Sequence, residues 1–333
     1  MKKNIELNRL SKYRKELMGF SALLILVCHA YAYIDLPPLL GYGLSIGNIG
    51  VDCFLFLSGM GLWYSLSKFK LGGGKKNWYI NRYKKLFIPY LLTKLTMDLI
   101  LFSMGKLKES EIMDYLWGLS SLRFYVSHDT FWFIAALIPL YLFAPTYFLL
   151  LRKYGYKVAF VLIFVHYLIL LIPPFFQYNL LNNVIENIQF VSVRATCFVL
   201  GMALGQSVMD KRHISLKCLF VMVVLGIIAI VMTRHLVYGW FFFTLPLLLS
   251  ICYIMNKLPK VIISFVRLMG DISLESYILN ATLPKLIISL FIAVCIPKAG
   301  NIIPYITACI VSIPIGYCIH SVSDKILKIN SKV

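Results

Sequence analysis

The sequence predicts an all-α polytopic membrane bundle of about ten transmembrane helices with both termini cytoplasmic. Three observations carry this. Apolar runs of roughly 18 to 22 residues recur from one end of the chain to the other, each long enough to cross a hydrocarbon core of about 30 Å. Of the 333 residues, 60% are apolar and only 14% charged, which is not the profile of a soluble globular protein. The basic residues are segregated into alternate connecting segments.

The expected spans are 17–34, 49–66, 86–104, 131–151, 158–175, 190–208, 218–233, 236–254, 273–296 and 304–320. With the N-terminus in the cytoplasm, the inner segments are 1–16, 67–85, 152–157, 209–217, 255–272 and the C-terminal tail. These hold 25 of the 33 Lys and Arg. The outer loops hold 5 (Lys106, Lys108, Arg123, Arg234 and Lys298), and only Lys94, Arg194 and Lys285 fall inside spans. This asymmetry obeys the positive-inside rule. It also accounts for the net charge of +19 without nucleic acid, because the charge orients helices and faces anionic membrane lipids.

The first span follows a basic segment and ends on "AYA" at 30–32, the outline of a cleavable signal. Retention as the first helix is the expectation. The eight cysteines (Cys28, Cys53, Cys197, Cys218, Cys252, Cys295, Cys309 and Cys318) lie in apolar spans without CxxC spacing. They read as small buried hydrophobes rather than disulfides or metal ligands. "LGGGKK" (71–76) lacks the strand and the Lys-Ser/Thr of a phosphate-binding loop. No long linker or internal repeat divides the chain, so residues 1–333 are read as one domain.

Polar groups inside lipid are the functional candidates. His29 nears the outer end of the first span, and Asp52 enters from the outside at the start of the second. At matching depth, Asp52 would accept one imidazole N–H and leave the other nitrogen as a general base. The plainer reading makes Asp52 an interfacial helix-start residue. Arg194, about one turn below the outer surface, suits either an anion site or a residue snorkelling to headgroups. Lys94 and Asp98, four apart, read as an internal charge pair. Lys285, after Pro284 near mid-membrane, suits a bundle-interior or kink role and a substrate role equally. His166 reads as a hydrogen-bonded interior residue, and His128, His213 and His235 fall in or beside loops. The loop 68–86, "KFKLGGGKKNWYINRYKKL", is the densest basic cluster. It reads as a topology determinant and lipid contact. Arg82 and Lys85, three apart, flank one face if the helix has begun, a spacing that suits a pyrophosphate.

Six stretches together resemble the integral-membrane acyltransferase family 3, whose members O-acylate cell-surface carbohydrates. In order they are "KELMGFSALLILVCHAY", "IGVDCFLFLSGMGLWYS", "NWYINRYKKLFIPYLL", "TFWFIAALIPLYLFAP", "RATCFVLGMALG" and "MGDISLESYILNA". The resemblance implies about ten helices, an acyl-CoA donor (acetyl-CoA foremost) entering from the cytoplasm, and a glycan or lipid-linked acceptor at the outer side. It maps the family's first-helix histidine onto His29. It marks Asp52, Ser58, Arg82, Lys85, Trp132 and Arg194 as site residues, with Lys84 beside the donor pair. The chain departs from the family at two places. Met18 stands where an Arg is usual, one helix face and about 16 Å from His29, so Lys15 or Arg14 is expected to substitute. Asn280 stands where many members have His.

These readings converge on a bacterial cytoplasmic-membrane enzyme. His29 and Asp52 would be catalytic, Lys15, Arg82, Lys84 and Lys85 would hold acyl-CoA, and Ser58, Trp132, Arg194 and Asn280 would contact substrate, with no metal. A transporter or flippase without chemistry is the rival class, since intramembrane charges fit that too.

Overall fold

The computed structural model describes residues 4–34, 36–68, 75–105, 112–127, 131–173, 179–293 and 301–329. Expectations at Lys106, Lys108, His128, Cys295, Lys298 and most of the 71–76 loop lie outside the described residues. The chain opens with β1 (Asn4–Glu6), the short α1 (Arg9–Lys12) and α2 (Arg14–Ala30). Then come α3 (Pro38–Ser45), α4 (Ile49–Lys68), α5 (Lys75–Ser103), and the short α6 (Ile112–Leu119) and α7 (Phe124–Ser127). They are followed by α8 (Trp132–Tyr154), α9 (Tyr156–Leu168), α10 (Asn179–Met209) and β2 (His213–Ser215). The chain closes with α11 (Leu216–Thr233), α12 (Leu236–Met255), α13 (Lys260–Asp271), α14 (Ser273–Ala293) and α15 (Ile302–Ile329). The strands form one small antiparallel pair, Ile5 opposite Ile214.

Each expected span contains a helix over most of its described residues. Among the described residues, eight helices are long and apolar enough to cross a bilayer. The other two are shorter. One is the apolar stretch Tyr156–Leu171, and the other is α2, with 17 residues. At 1.5 Å per residue α2 is about 26 Å long, near the lower limit for a span. Several helices begin or end beyond their apolar run. α5 starts at Lys75, inside the basic segment, so Arg82, Lys84 and Lys85 are helical. Nothing in 75–88 is Gly or Pro, so the helix carries on into polar sequence. Lipid is the natural partner of the outer helices: on α11, Phe220, Val231 and Met232 are exposed.

The core is organised around α4, which packs along α10 more extensively than any other pair of elements. Small residues permit it. A Cβ at Gly59 would lie 2.1 Å from the Phe198 carbonyl oxygen, and one at Gly201 would lie 2.0 Å from that of Phe56. Neither fits, so glycine lets the two backbones touch, the usual device of helix pairs in lipid. Phe56, Phe148 and Phe198 fill the interior beside this contact. α13, with a polar and an apolar face, packs against the basic end of α2, tied to it by ion pairs between Lys15 and Asp271 (2.7 Å) and between Arg267 and Glu16 (2.5 Å).

Other intramembrane polar groups resolve simply. Lys94 Nζ donates to both Asp98 oxygens (2.5 and 2.6 Å), and Tyr115 donates to the same carboxylate (2.8 Å). This is the expected internal pair. His166 lies 3.3 Å from the Tyr147 hydroxyl, as expected of an interior histidine. Lys285 is exposed, which removes its bundle-interior reading. The seven described cysteines are free thiols.

Candidate active site

Five helices each contribute one stripe of side chains to three cavities that follow one another through the bundle, neighbouring cavities sharing lining residues; together they are called the passage. On α2 the stripe is Arg14, Met18, Ile25 and His29, spaced four, seven and four residues, so all lie within about 60° of one face. α4 adds Phe54 and Ser58, α5 adds Arg82 and Lys85, and α8 adds Trp132, Phe133, Leu137 and Tyr141. α14 completes it with Leu274, Tyr277 and Asn280.

The passage has three chambers. The one at the basic end is about 300 Å³ and is lined by Arg14, Ser58, Arg82 and Tyr141. It shares Ser58, Arg82 and Tyr141 with a narrower, mainly apolar chamber of about 140 Å³, to which Lys85 also contributes. That chamber shares Tyr277 with a vestibule of about 540 Å³ at the opposite end, where His29, Trp132 and Glu186 meet. Arg14 and His29 stand fifteen residues apart on α2, about 22 Å along its axis.

His29 is held by Asn280, not by Asp52. Its Nδ1 lies 2.5 Å from Asn280 Oδ1. The direction of this contact follows from a fixed group. The Leu26 backbone carbonyl can only accept, so Tyr305 donates its hydroxyl to it (2.5 Å). The Tyr305 oxygen then accepts from Asn280 Nδ2 (3.4 Å). Asn280 Oδ1 is left facing the imidazole, and Nδ1 must carry the proton. Nε2 of the neutral ring is therefore the free base, the tautomer that the sequence assigned to a carboxylate partner. Asn280, expected to touch substrate, is 2% exposed and turns its amide oxygen to His29.

Asp52 pairs instead with Arg194, Nη1 to Oδ2 at 2.8 Å, with the two side chains 3% and 2% exposed. The guanidinium is also enclosed by the rings of Trp132, Phe190 and Trp240, each centroid 5.1 to 5.2 Å away. This overturns the pairing of Asp52 with His29, and both readings offered for Arg194. A charge so enclosed neither reaches headgroups nor lines the vestibule. It braces Trp132, which does. The reason is azimuth: Asp52 faces α10 across the tight α4–α10 contact, and His29 faces α14.

The basic candidates separate in the same way. Lys15 points to the surface, 61% exposed, and is neutralised by Asp271, so it does not reach the passage. Arg14, its neighbour 100° around the helix, lines the basic chamber, and its Nη2 reaches the Leu57 carbonyl (3.4 Å). Arg14 lies four residues before Met18, on the same face one turn nearer the basic end. Lys84 lines none of the three chambers, whereas Arg82 and Lys85 do. Ser58 lies where the two inner chambers meet. Tyr141, Tyr277 and Glu186 escaped the sequence reading. Tyr277 was findable, because it sits three residues before Asn280 on one helical face. Among the described residues no cluster of three His, Cys, Asp or Glu is placed to hold a metal ion.

A family model described as an acyltransferase domain, that of acyltransferase family 3, matches residues 17–321, nearly the whole chain. No curated protein and no solved structure matches significantly.

Proposed function

The chain belongs to acyltransferase family 3, and on that premise we propose that it moves an acyl group, acetyl foremost, from cytosolic acyl-CoA to a hydroxyl of a glycan or lipid-linked acceptor at the outer face of the bacterial cytoplasmic membrane. The coarser part is direct: it is an acyltransferase built as a multi-pass membrane bundle.

The observation that carries the finer reading is the hydrogen-bond chain that ends on His29 Nδ1, at the far end of a passage with a cationic mouth. Arg14, Arg82 and Lys85 suit the phosphates of a donor. The distance of about 22 Å from Arg14 to His29 favours a donor whose reactive carbonyl is carried on a long arm, as in acyl-CoA, over a compact acyl phosphate. At the vestibule, His29 Nε2 takes the proton of the acceptor hydroxyl as its oxygen attacks the thioester carbonyl. The C–S bond breaks, and the proton passes from the imidazolium to the departing CoA thiolate. An acyl group resting on a protein nucleophile is not needed for this sequence.

The test is purified protein with labelled acetyl-CoA and membranes of the source cells as acceptor. His29→Gln is expected to keep insertion and acyl-CoA binding and to lower transfer roughly a hundredfold or more, the scale of losing a general base. Transfer at near the wild-type rate would make His29 structural. Movement of a lipid-linked solute with no release of CoA would favour the transporter reading.

A further inference from the structure

We propose that Tyr277 is the partition between the donor passage and the acceptor vestibule, and that it restricts the acyl group reaching His29 to a few carbons. The proposal deepens the acyl-CoA reading above and rests on it.

Tyr277 is the one residue that lines both the narrow chamber and the vestibule. Its position is fixed from two sides. The Phe133 backbone N–H donates to its hydroxyl (3.4 Å), and its ring meets the Phe133 ring edge-on at 5.7 Å. Phe133 in turn packs on Phe54 at 6.0 Å, so Phe54, Phe133 and Tyr277 form an aromatic wall of the narrow chamber, with Tyr277 at the vestibule end. The chamber they bound is the smaller one, about 140 Å³ against about 540 Å³ beyond Tyr277. Tyr277 is three residues from Asn280, about 4.5 Å along α14, so it stands one helical turn before the residue that holds His29.

The direction of travel gives this position its consequence. In an acyl thioester the acyl chain leads and the carbonyl follows. The whole chain must pass Tyr277 before the carbonyl can meet Nε2. An acetyl methyl passes a parted aromatic wall more readily than a six-carbon chain, which must displace the ring and then occupy vestibule space that the acceptor needs. A rigid wall that distinguishes by size does so at roughly ten- to two-hundredfold per methylene at most, so a preference over four methylenes is readable even when the wall gives.

The experiment measures kcat/KM for acetyl-, butyryl- and hexanoyl-CoA, by CoA release in the presence of source-cell membranes, for the wild type, Tyr277→Ala and Tyr277→Phe. The wild type is expected to prefer acetyl-CoA. Tyr277→Ala is expected to raise the hexanoyl-to-acetyl ratio roughly tenfold or more. Tyr277→Phe, which keeps the ring, is expected to hold the ratio near that of the wild type. A wild type that uses hexanoyl-CoA as readily as acetyl-CoA, or a Tyr277→Ala ratio that does not move, overturns the partition and leaves the acyl-CoA reading standing. If Tyr277→Ala fails to fold, Phe133→Leu removes the ring that holds Tyr277 and must shift the ratio the same way; an unmoved ratio overturns the proposal. A wild type that releases no CoA from any of the three donors overturns the acyl-CoA reading, and the partition with it.

Discussion

The buried pair of Asp52 and Arg194 gives the sharpest quantitative prediction. With side chains 3% and 2% exposed, solvent screens this interaction little, and either residue alone would be a desolvated charge. Removing one partner of such a pair costs about 3–5 kcal/mol, most of it the penalty of leaving the other charge uncompensated. Asp52→Asn keeps an acceptor for Nη1 and keeps the three rings around the cation, so we expect the lower end, about 3 kcal/mol. Arg194→Met leaves the carboxylate without its counter-charge, with only the Cys197 thiol and a backbone N–H donating to it, so we expect about 4–5 kcal/mol. The double variant Asp52→Leu with Arg194→Met replaces both charges by apolar groups and should recover much of the loss, because paired ions and packed hydrophobes of similar size are nearly equivalent. Equilibrium unfolding of the wild type, Asp52→Leu, Arg194→Met and the double variant in mixed micelles yields the cycle. The coupling energy should be about 2 kcal/mol or more, the upper part of the range for residues in direct contact. Single variants within about 0.5 kcal/mol of the wild type, the size of an ordinary surface substitution, would refute the reasoning. So would a double variant whose loss equals the sum of the singles.

Two further predictions concern the passage. Asn280→Leu should keep acyl-CoA binding and lower transfer by roughly tenfold or more, short of the loss in His29→Gln, since it frees the tautomer but leaves the base; a rate equal to wild type would show that the amide does not orient His29. Arg14→Leu should raise the apparent KM for acyl-CoA several-fold, about 1 kcal/mol or more for one charge-assisted contact, whereas Lys15→Leu should leave it unchanged; equal effects would mean that general surface charge, not the chamber, attracts the donor.

Which features were legible in the sequence follows from the range of each signal. The helices were, because a span is announced by its own residues: an apolar run must hydrogen-bond internally to cross lipid. Their ends were less so. Segments 75–85 and 179–189 are polar yet helical, and nothing local separates a polar helix from a polar loop when Gly and Pro are absent. Arg14 and Lys15 were equal candidates because adjacent residues differ only by 100° of azimuth, and azimuth is set by what α2 packs against. The partners of His29 and Asp52 were out of reach for the same reason. Both lie at similar depth, and so does Arg194, but depth is read from position along a helix and rotation is not. The contact of His29 with Asn280 spans 251 positions, and no local pattern reports it.

The exchange of partners has a chemical logic. A buried carboxylate against His29 would raise its basicity but would add a desolvated charge to a site that, in the proposed transfer, takes an uncharged hydroxyl and a thioester. The amide of Asn280 selects the same tautomer with no charge at all, and the fixed Leu26 carbonyl, acting through Tyr305, decides which end of that amide faces the ring. The charge on Asp52 is meanwhile spent on Arg194, behind Trp132, where it can hold the vestibule wall without altering the base. In the proposed transfer the imidazolium has an amide, not a carboxylate, against Nδ1, which favours passing its proton on to the leaving thiolate.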